Sequence, residues 1–153
     1  MIKKRLCIYT AIIIGFCSSV TQAEDKNRNS PQAGTRTYAQ NYKDMALATC
    51  ITTAYKHDAD VAKDAGSSVS ALRDWGSCDL EQGPYAIRGL VDDYLTRDYH
   101  NPIVESEVKG VRFDLLKCLD MYHSEALEAQ VKRWVSPRDR TYRQDASLPL
   151  KAK

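Results

Sequence analysis

The sequence predicts an all-α fold, a single-domain bundle of about five helices. Apolar residues recur at spacings of three and four along residues 38–135. No run of useful length alternates apolar and polar side chains as a half-buried strand does. The length remaining after a secretion signal suits one hydrophobic core.

The chain has 153 residues. Lys3, Lys4 and Arg5 precede an apolar run from Leu6 to Cys17, and Thr21-Gln22-Ala23 puts small residues where a signal peptidase reads. Residues 1–23 therefore read as a signal peptide, whose removal leaves 130 residues. A membrane anchor would need about 20 apolar residues, and this run is far shorter. Phe16 stands where a lipidated Cys17 would need a small residue before it. No membrane association is expected after cleavage. Cleavage also turns 22 basic against 20 acidic side chains into 19 against 20, so the formal charge moves from +2 to −1. A nucleic-acid binder needs a surplus of Lys and Arg to displace counterions; this chain has none.

Residues 24–37 (EDKNRNSPQAGTRT) hold no large apolar side chain and are expected to form a flexible arm. The first helix spans about residues 38–56 and buries Leu47, Cys50, Ile51 and Ala54, at offsets 0, 3, 4 and 7. Asp58 is placed to cap a second helix burying Val61, Ala65, Val69 and Leu72, with a weak point and a possible kink at Gly66-Ser67-Ser68. Trp75-Gly76 closes it, and residues 76–83 form a loop. Pro84 suits the first turn of a third helix, in which Ile87, Leu90, Val91, Tyr94 and Leu95 repeat on one face. Residues 98–102 (DYHNP) end that helix. A fourth helix over about residues 106–122 aligns Val108, Val111, Leu115, Cys118, Leu119 and Tyr122 on a buried face. Ser124 caps a fifth, with Leu127, Val131, Trp134 and Val135 inward. Pro137 stops it, and residues 136–153 read as a polar C-terminal tail.

Cys7 and Cys17 leave with the signal, so Cys50, Cys78 and Cys118 reach an oxidising compartment. Cys50 and Cys118 fall on predicted buried faces, whereas Cys78 sits in a Gly-flanked loop. A Cys50–Cys118 bridge is favoured, with Cys50–Cys78 as the alternative.

A search for reaction chemistry finds no constellation. Cys118 and His123 are five residues apart, which turns them about 140° away from each other on one helix. Cys78 is the one thiol left over, with no His beside it. His57, His100 and His123 stand singly, without Cys-x-x-Cys, His-x-x-x-His or a calcium loop, so neither a metal nor any other cofactor is expected. Asp92 and Asp93 point about 100° apart on a helix and read as an exposed charged face. What stands out is Tyr: Tyr94 and Tyr122 at core positions, and Tyr99 with His100 in an interhelical loop where contact residues are displayed.

KCLDMYHSEAL (residues 117–127), preceded by LVDDYL (90–95) and CITTAY (50–55), resembles the periplasmic immunity proteins that protect bacteria against type VI secretion amidase effectors, the fourth amidase-immunity group. The likeness covers residues 38–135. It implies an all-helical homodimer in the periplasm that catalyses nothing. Its implied partner is a papain-like Cys/His amidase that cuts the D-glutamyl to diaminopimelate bond of peptidoglycan stem peptides, and the implied action is to block the cleft of that enzyme. Two loops are candidates for entering it. Residues 97–101 offer Arg97, Asp98, Tyr99, His100 and Asn101; residues 76–83 offer Asp79, Glu81 and Gln82 to a basic rim. The first is favoured, because Tyr and Arg are enriched among residues that carry interface energy. Dimerisation is expected to use a helix face, with the third helix the first choice. The alternative function is a secreted periplasmic adaptor or envelope-stress binding module without a toxin partner; a hydrolase built on Cys78 is weaker still.

Overall fold

The computed structural model describes residues 30–147. The expected signal peptide, residues 24–29 of the arm and the last six residues of the tail lie outside them. Among the described residues there are seven α-helices and one 3-10 turn, with no strand beyond two isolated bridges. The helices are α1 (Tyr38–Ala54), α2 (Ala59–Asp74), α3 (Gly83–Leu95), α4 (Pro102–Glu107), α5 (Asp114–Tyr122), α6 (Glu125–Trp134) and α7 (Tyr142–Ala146). The fold is all-α, and no described helix is long and apolar enough to cross a membrane.

α1 is the central element, with α2, α3, α5 and α6 packed against it. Its start is fixed by a capping box: Gln40 N donates to Thr37 Oγ1 at 3.2 Å, and Thr37 N donates to Gln40 Oε1 at 2.9 Å. The buried stripe is Tyr38, Tyr42, Met45, Ala46 and Cys50. Leu47, Ile51 and Ala54, expected inside, are only half-buried. A helix surrounded on several sides buries more than one stripe, and periodicity alone picks out just one of them. α2 begins at the expected cap, where Asp58 accepts from Asp60 N and Val61 N. It runs unbroken through Gly66, and Ala65 is its one buried residue. α3 keeps the predicted face, with Ile87, Val91 and Tyr94 buried. α6 keeps Ser124 as its cap and Leu127 and Val131 inside. Tyr42 Oη lies 3.2 Å from both the Gly83 carbonyl and Gln130 Oε1, while Gln130 Nε2 donates to the Ala86 carbonyl at 2.8 Å. These bonds join α1, α3 and α6.

Three expectations are corrected. The fourth helix is not continuous: α4 ends at Glu107, and α5 starts at Asp114 after Gly110 and Phe113 take positive φ values of 72° and 55°. The break resets the helical phase. Asp114, Lys117, Cys118 and Met121 are buried at offsets 0, 3, 4 and 7, whereas Val108, Leu115 and Leu119 are exposed. Second, part of the expected arm is structured. Gln32–Thr35 form the 3-10 turn with Ala33 buried, because the buried Asn41 donates from Nδ2 to the carbonyls of Ala33 at 2.9 Å and Trp75 at 2.8 Å. A short apolar residue suffices once a buried amide supplies its backbone partner. Third, the tail folds back to the start of α1. Thr37 and Thr141 form a bridge, Thr141 and Gln144 a second capping box, and Tyr38 Oη donates to Asp145 Oδ2 at 2.6 Å with Arg140 also on Asp145.

Cys50 and Cys118 are fully buried and bonded, with Cα atoms 5.7 Å apart, as the helix faces favoured; Cys78 is free. The bridge closes a separation of 68 residues. In the chain-entropy treatment this removes roughly 4 kcal/mol of denatured-state freedom. Replacing both cysteines by Ala is expected to lower the unfolding free energy by about that amount, within the 2–5 kcal/mol range for native disulfides, read from guanidinium titrations with and without reductant. The terminal clasp makes a second prediction. Burial, then the bond to Asp145 and its charge, push the Tyr38 phenol up from 10.0 to about 12. A raised folded-state value means the contribution of this group is complete below pH 10 and lost as pH rises toward 12. Tyr38→Phe should flatten that part of the alkaline stability loss, measured by urea unfolding at several pH values.

Candidate functional site

The loop between α2 and α3 is stitched to the end of α6. Asp79 N donates to the Trp134 carbonyl at 2.9 Å, Ser77 Oγ donates to the Ser136 carbonyl at 2.9 Å, and Cys78 bridges to Val135. Asp79, itself exposed, turns back along its own chain, where its Oδ1 accepts from Glu81 N at 2.9 Å and Gln82 N at 2.7 Å. It therefore nucleates the turn that leads into α3. Glu81 and Gln82 are exposed.

The loop between α3 and α4 is ordered by its own side chains. The Arg97 guanidinium donates to Asp93 Oδ2 at 2.8 Å and lies 3.3 Å from the centre of the Tyr94 ring. His100 Nε2 is 3.1 Å from Asp98 Oδ2, and its Nδ1 is 3.6 Å from Glu105 Oε1. Asn101 caps α4: its side chain accepts from Val104 N at 3.3 Å, and its own N donates to Glu105 Oε1 at 2.6 Å. Tyr99 leans on α5, donating to Asp120 Oδ2 at 2.7 Å, a bond that together with burial raises its phenol above the usual value. Asp98, His100 and Asn101 remain exposed, as does Arg97.

Residues 98–101 form one wall of a groove of about 320 Å³ whose other wall is Phe113 and Leu116. Sequence reasoning missed both apolar residues. Phe113 sits in the left-handed region at φ 55°, where a residue with a Cβ is strained by about 1–3 kcal/mol. Gly110, isolated inside a helical pattern, was the available signal for the break that places Phe113 there. Around the corner of α5 a larger hollow of about 620 Å³ is lined by apolar side chains including Tyr55, Val111, Leu115 and Leu119.

Beneath the groove lies a buried ion pair. Lys117 is 4% exposed and Asp114 9%. Lys117 Nζ is 3.1 Å from Asp114 Oδ1, donates to the Leu95 carbonyl at 3.3 Å, and stands 5.8 Å from the centre of the Tyr99 ring. Asp114 Oδ2 takes Arg112 Nε at 3.2 Å. Burying a lone ammonium costs several kcal/mol, so each of these partners matters.

The other residues considered for chemistry do not converge. Cys118 is in the disulfide, and His123 is exposed at the end of α5 against the Tyr122 ring. His57 is exposed after α1, and Asp92 and Asp93 are exposed on α3. Among the described residues no three His, Cys, Asp or Glu side chains are grouped as a metal would need. Cys78 is half-buried near Tyr42, and burial first, then Asp79, push its thiol up, away from the reactive thiolate.

A disulfide-stapled helical domain whose preordered loop faces apolar Phe113 and Leu116 across a groove is suited to binding, and comparison with known proteins says to what class it belongs. Residues 40–131 match the profile of Tai4, the type VI secretion system (T6SS) amidase immunity protein. The chain belongs to that family, as its sequence resemblance implied. A chain from Serratia marcescens, solved in work on new type VI-secreted toxins and self-resistance proteins, is similar with a TM-score of 0.68 and 27% identity, over 78% of this chain and 94% of that one. A chain of the Tae4/Tai4 effector–immunity system of Salmonella typhimurium has the same fold, with a TM-score of 0.59 and 24% identity over 69% of this chain and 96% of that one. No curated protein matches.

Cys78 is expected to react with iodoacetamide more slowly than free cysteine at neutral pH, and Cys78→Ala to leave any amidase binding unchanged. Mass spectrometry of the alkylated chain and calorimetry check the two halves.

Proposed function

We propose that this protein protects the cell that makes it by binding a peptidoglycan amidase effector in the periplasm and occluding its active-site cleft. Residues 97–101 are the segment that enters. Membership of an amidase immunity family supplies the partner class, and the buried disulfide suits an oxidising compartment. The observation that carries the choice of surface is the groove. Arg97, Asp98 and His100 are exposed polar groups on a loop already tied down at Asp93, Asp120 and Glu105, next to apolar Phe113 and Leu116. An apolar centre with a polar rim is how protein interfaces are built, and a loop ordered before binding loses little entropy on docking.

The partner implied by the resemblance is a Cys/His amidase, and the inhibitor needs only to fill the space in front of its thiol. The loop at residues 76–83 is the weaker candidate, since it offers neither a Tyr nor an Arg, the residues that most often carry interface energy. A homodimer, implied by the same resemblance, is better served by α5 than by α3. Beside Tyr85, the exposed side chains of α3 are the charged Arg88, Asp92 and Asp93, whereas α5 and its surroundings expose several apolar ones, Tyr55, Leu115 and Leu119.

Substituting Tyr99→Ala together with His100→Ala is expected to weaken binding to the cognate amidase by at least about tenfold, or roughly 1.4 kcal/mol. Glu81→Ala with Gln82→Ala should change it far less. Calorimetry with the purified amidase, beside release of peptides from peptidoglycan, gives the answer; unchanged affinity in the first variant would mean that another surface occludes the cleft.

A further inference from the structure

We infer that Lys117, paired with Asp114, is a positioning residue for amidase binding: it sets the spacing between the two walls of the groove. The inference rests on the reading that residues 97–101 face the amidase. Its ground is where the contacts of one buried ammonium lead. The first goes to the Leu95 carbonyl, the last residue of α3, whose oxygen has no partner within its own helix. A cation is favoured there by the negative end of the helix. That contact fixes where the chain leaves α3 for residues 97–101. The second goes to the face of Tyr99, in the loop itself. The third goes to Asp114, which opens α5 and through Oδ2 holds Arg112 in the segment between α4 and α5. Phe113, the opposite wall of the groove, lies between those two residues.

Asp120 strengthens the argument. It is three residues beyond Lys117 and takes the Tyr99 hydroxyl, so one face of α5 holds the loop at both its start and its middle. Filling a space in the core would not require a charge, because apolar side chains of the same size commonly serve as well or better for stability. Three groups from three segments converge on this pair, and two of those segments are the walls of the groove. What the ion pair adds over an apolar filling is geometry.

The test compares the full chain with its Lys117→Met/Asp114→Leu variant, which removes both charges and leaves neither buried alone. The expected result is a melting temperature close to that of the parent. Amide hydrogen exchange should be faster in residues 96–101 and 108–113 and unchanged in α1 and α6, and affinity for the amidase about tenfold weaker. Lys117→Gln, which keeps a donor for the Leu95 carbonyl but not the ion pair, should raise exchange in the same two segments by less than the double variant does and weaken affinity severalfold, and it decides the matter if the double variant does not fold. Exchange that rises evenly through the chain in Lys117→Gln would make Lys117 a packing residue and overturn the inference. So would unchanged loop exchange in either variant. Loosened loops with unchanged affinity would overturn it alone if Tyr99→Ala/His100→Ala still weakens binding. If neither set of substitutions weakens binding, the interface reading fails and this inference falls with it.

Discussion

The bond between Cys50 and Cys118 is the constraint on which the surface of this protein depends. It joins the central helix to α5 at a point where both residues are fully buried. Once Cys118 must face α1, the rotation of α5 is settled. Asp114, Lys117 and Met121 turn inward with it, and Leu115, Leu116 and Leu119 turn outward. The covalent link thus decides which polar groups must find partners in the interior and which apolar groups face water. A small helical domain with a modest core gains stability from the same bond, so the fold and the surface draw on one interaction.

Burying Lys117 has consequences for the loops above it. An ammonium in the interior needs partners, and the ones it finds are the terminal carbonyl of α3, the carboxylate that opens α5 and an aromatic face in the loop between α3 and α4. The loop is then ordered by a hierarchy of short contacts. Arg97 lies back on Asp93 and Tyr94, His100 lies between Asp98 and Glu105, and Asn101 caps α4. Side chains that look in sequence like free contact residues are in part occupied with holding their own backbone. Such ordering is what the proposed docking of residues 97–101 would use, since a loop ordered before binding has little left to organise on docking.

Helix identity was legible residue by residue, because it rests on local chemistry. Asp58 and Ser124 cap the helices they were expected to cap, Pro84 stands in the first turn of α3, and Ile87, Val91 and Tyr94 are buried on the face their spacing indicated. The preference for Cys50 with Cys118 followed from helix faces in the same way. The fourth predicted helix shows where this reasoning stops. Its apolar spacing runs smoothly from Val108 to Tyr122 only if no residue departs from helical φ, and Gly110 and Phe113 both do. Phe113 gives no local hint of that conformation, since the left-handed region is unfavourable to it taken alone. The candidate loop at residues 97–101 was visible as a loop, but Phe113 and Leu116, the wall that faces it, were not.

By itself the sequence determined the class of fold, the order of most helices, the bonded cysteine pair it favoured and, through three short strings, the family. Each of these rests on neighbours in the chain or on residues one turn apart. Only the tertiary structure decided the phase of α5, the burial of Lys117 with Asp114, and the clasp that brings Tyr38 to Asp145 across 107 residues. It also decided that Asn41 would hold down the segment before α1 by bonding Ala33 and Trp75. The physical reason is common to all of them. A polar group goes inside only where partners from distant segments meet it, and no local pattern records that meeting.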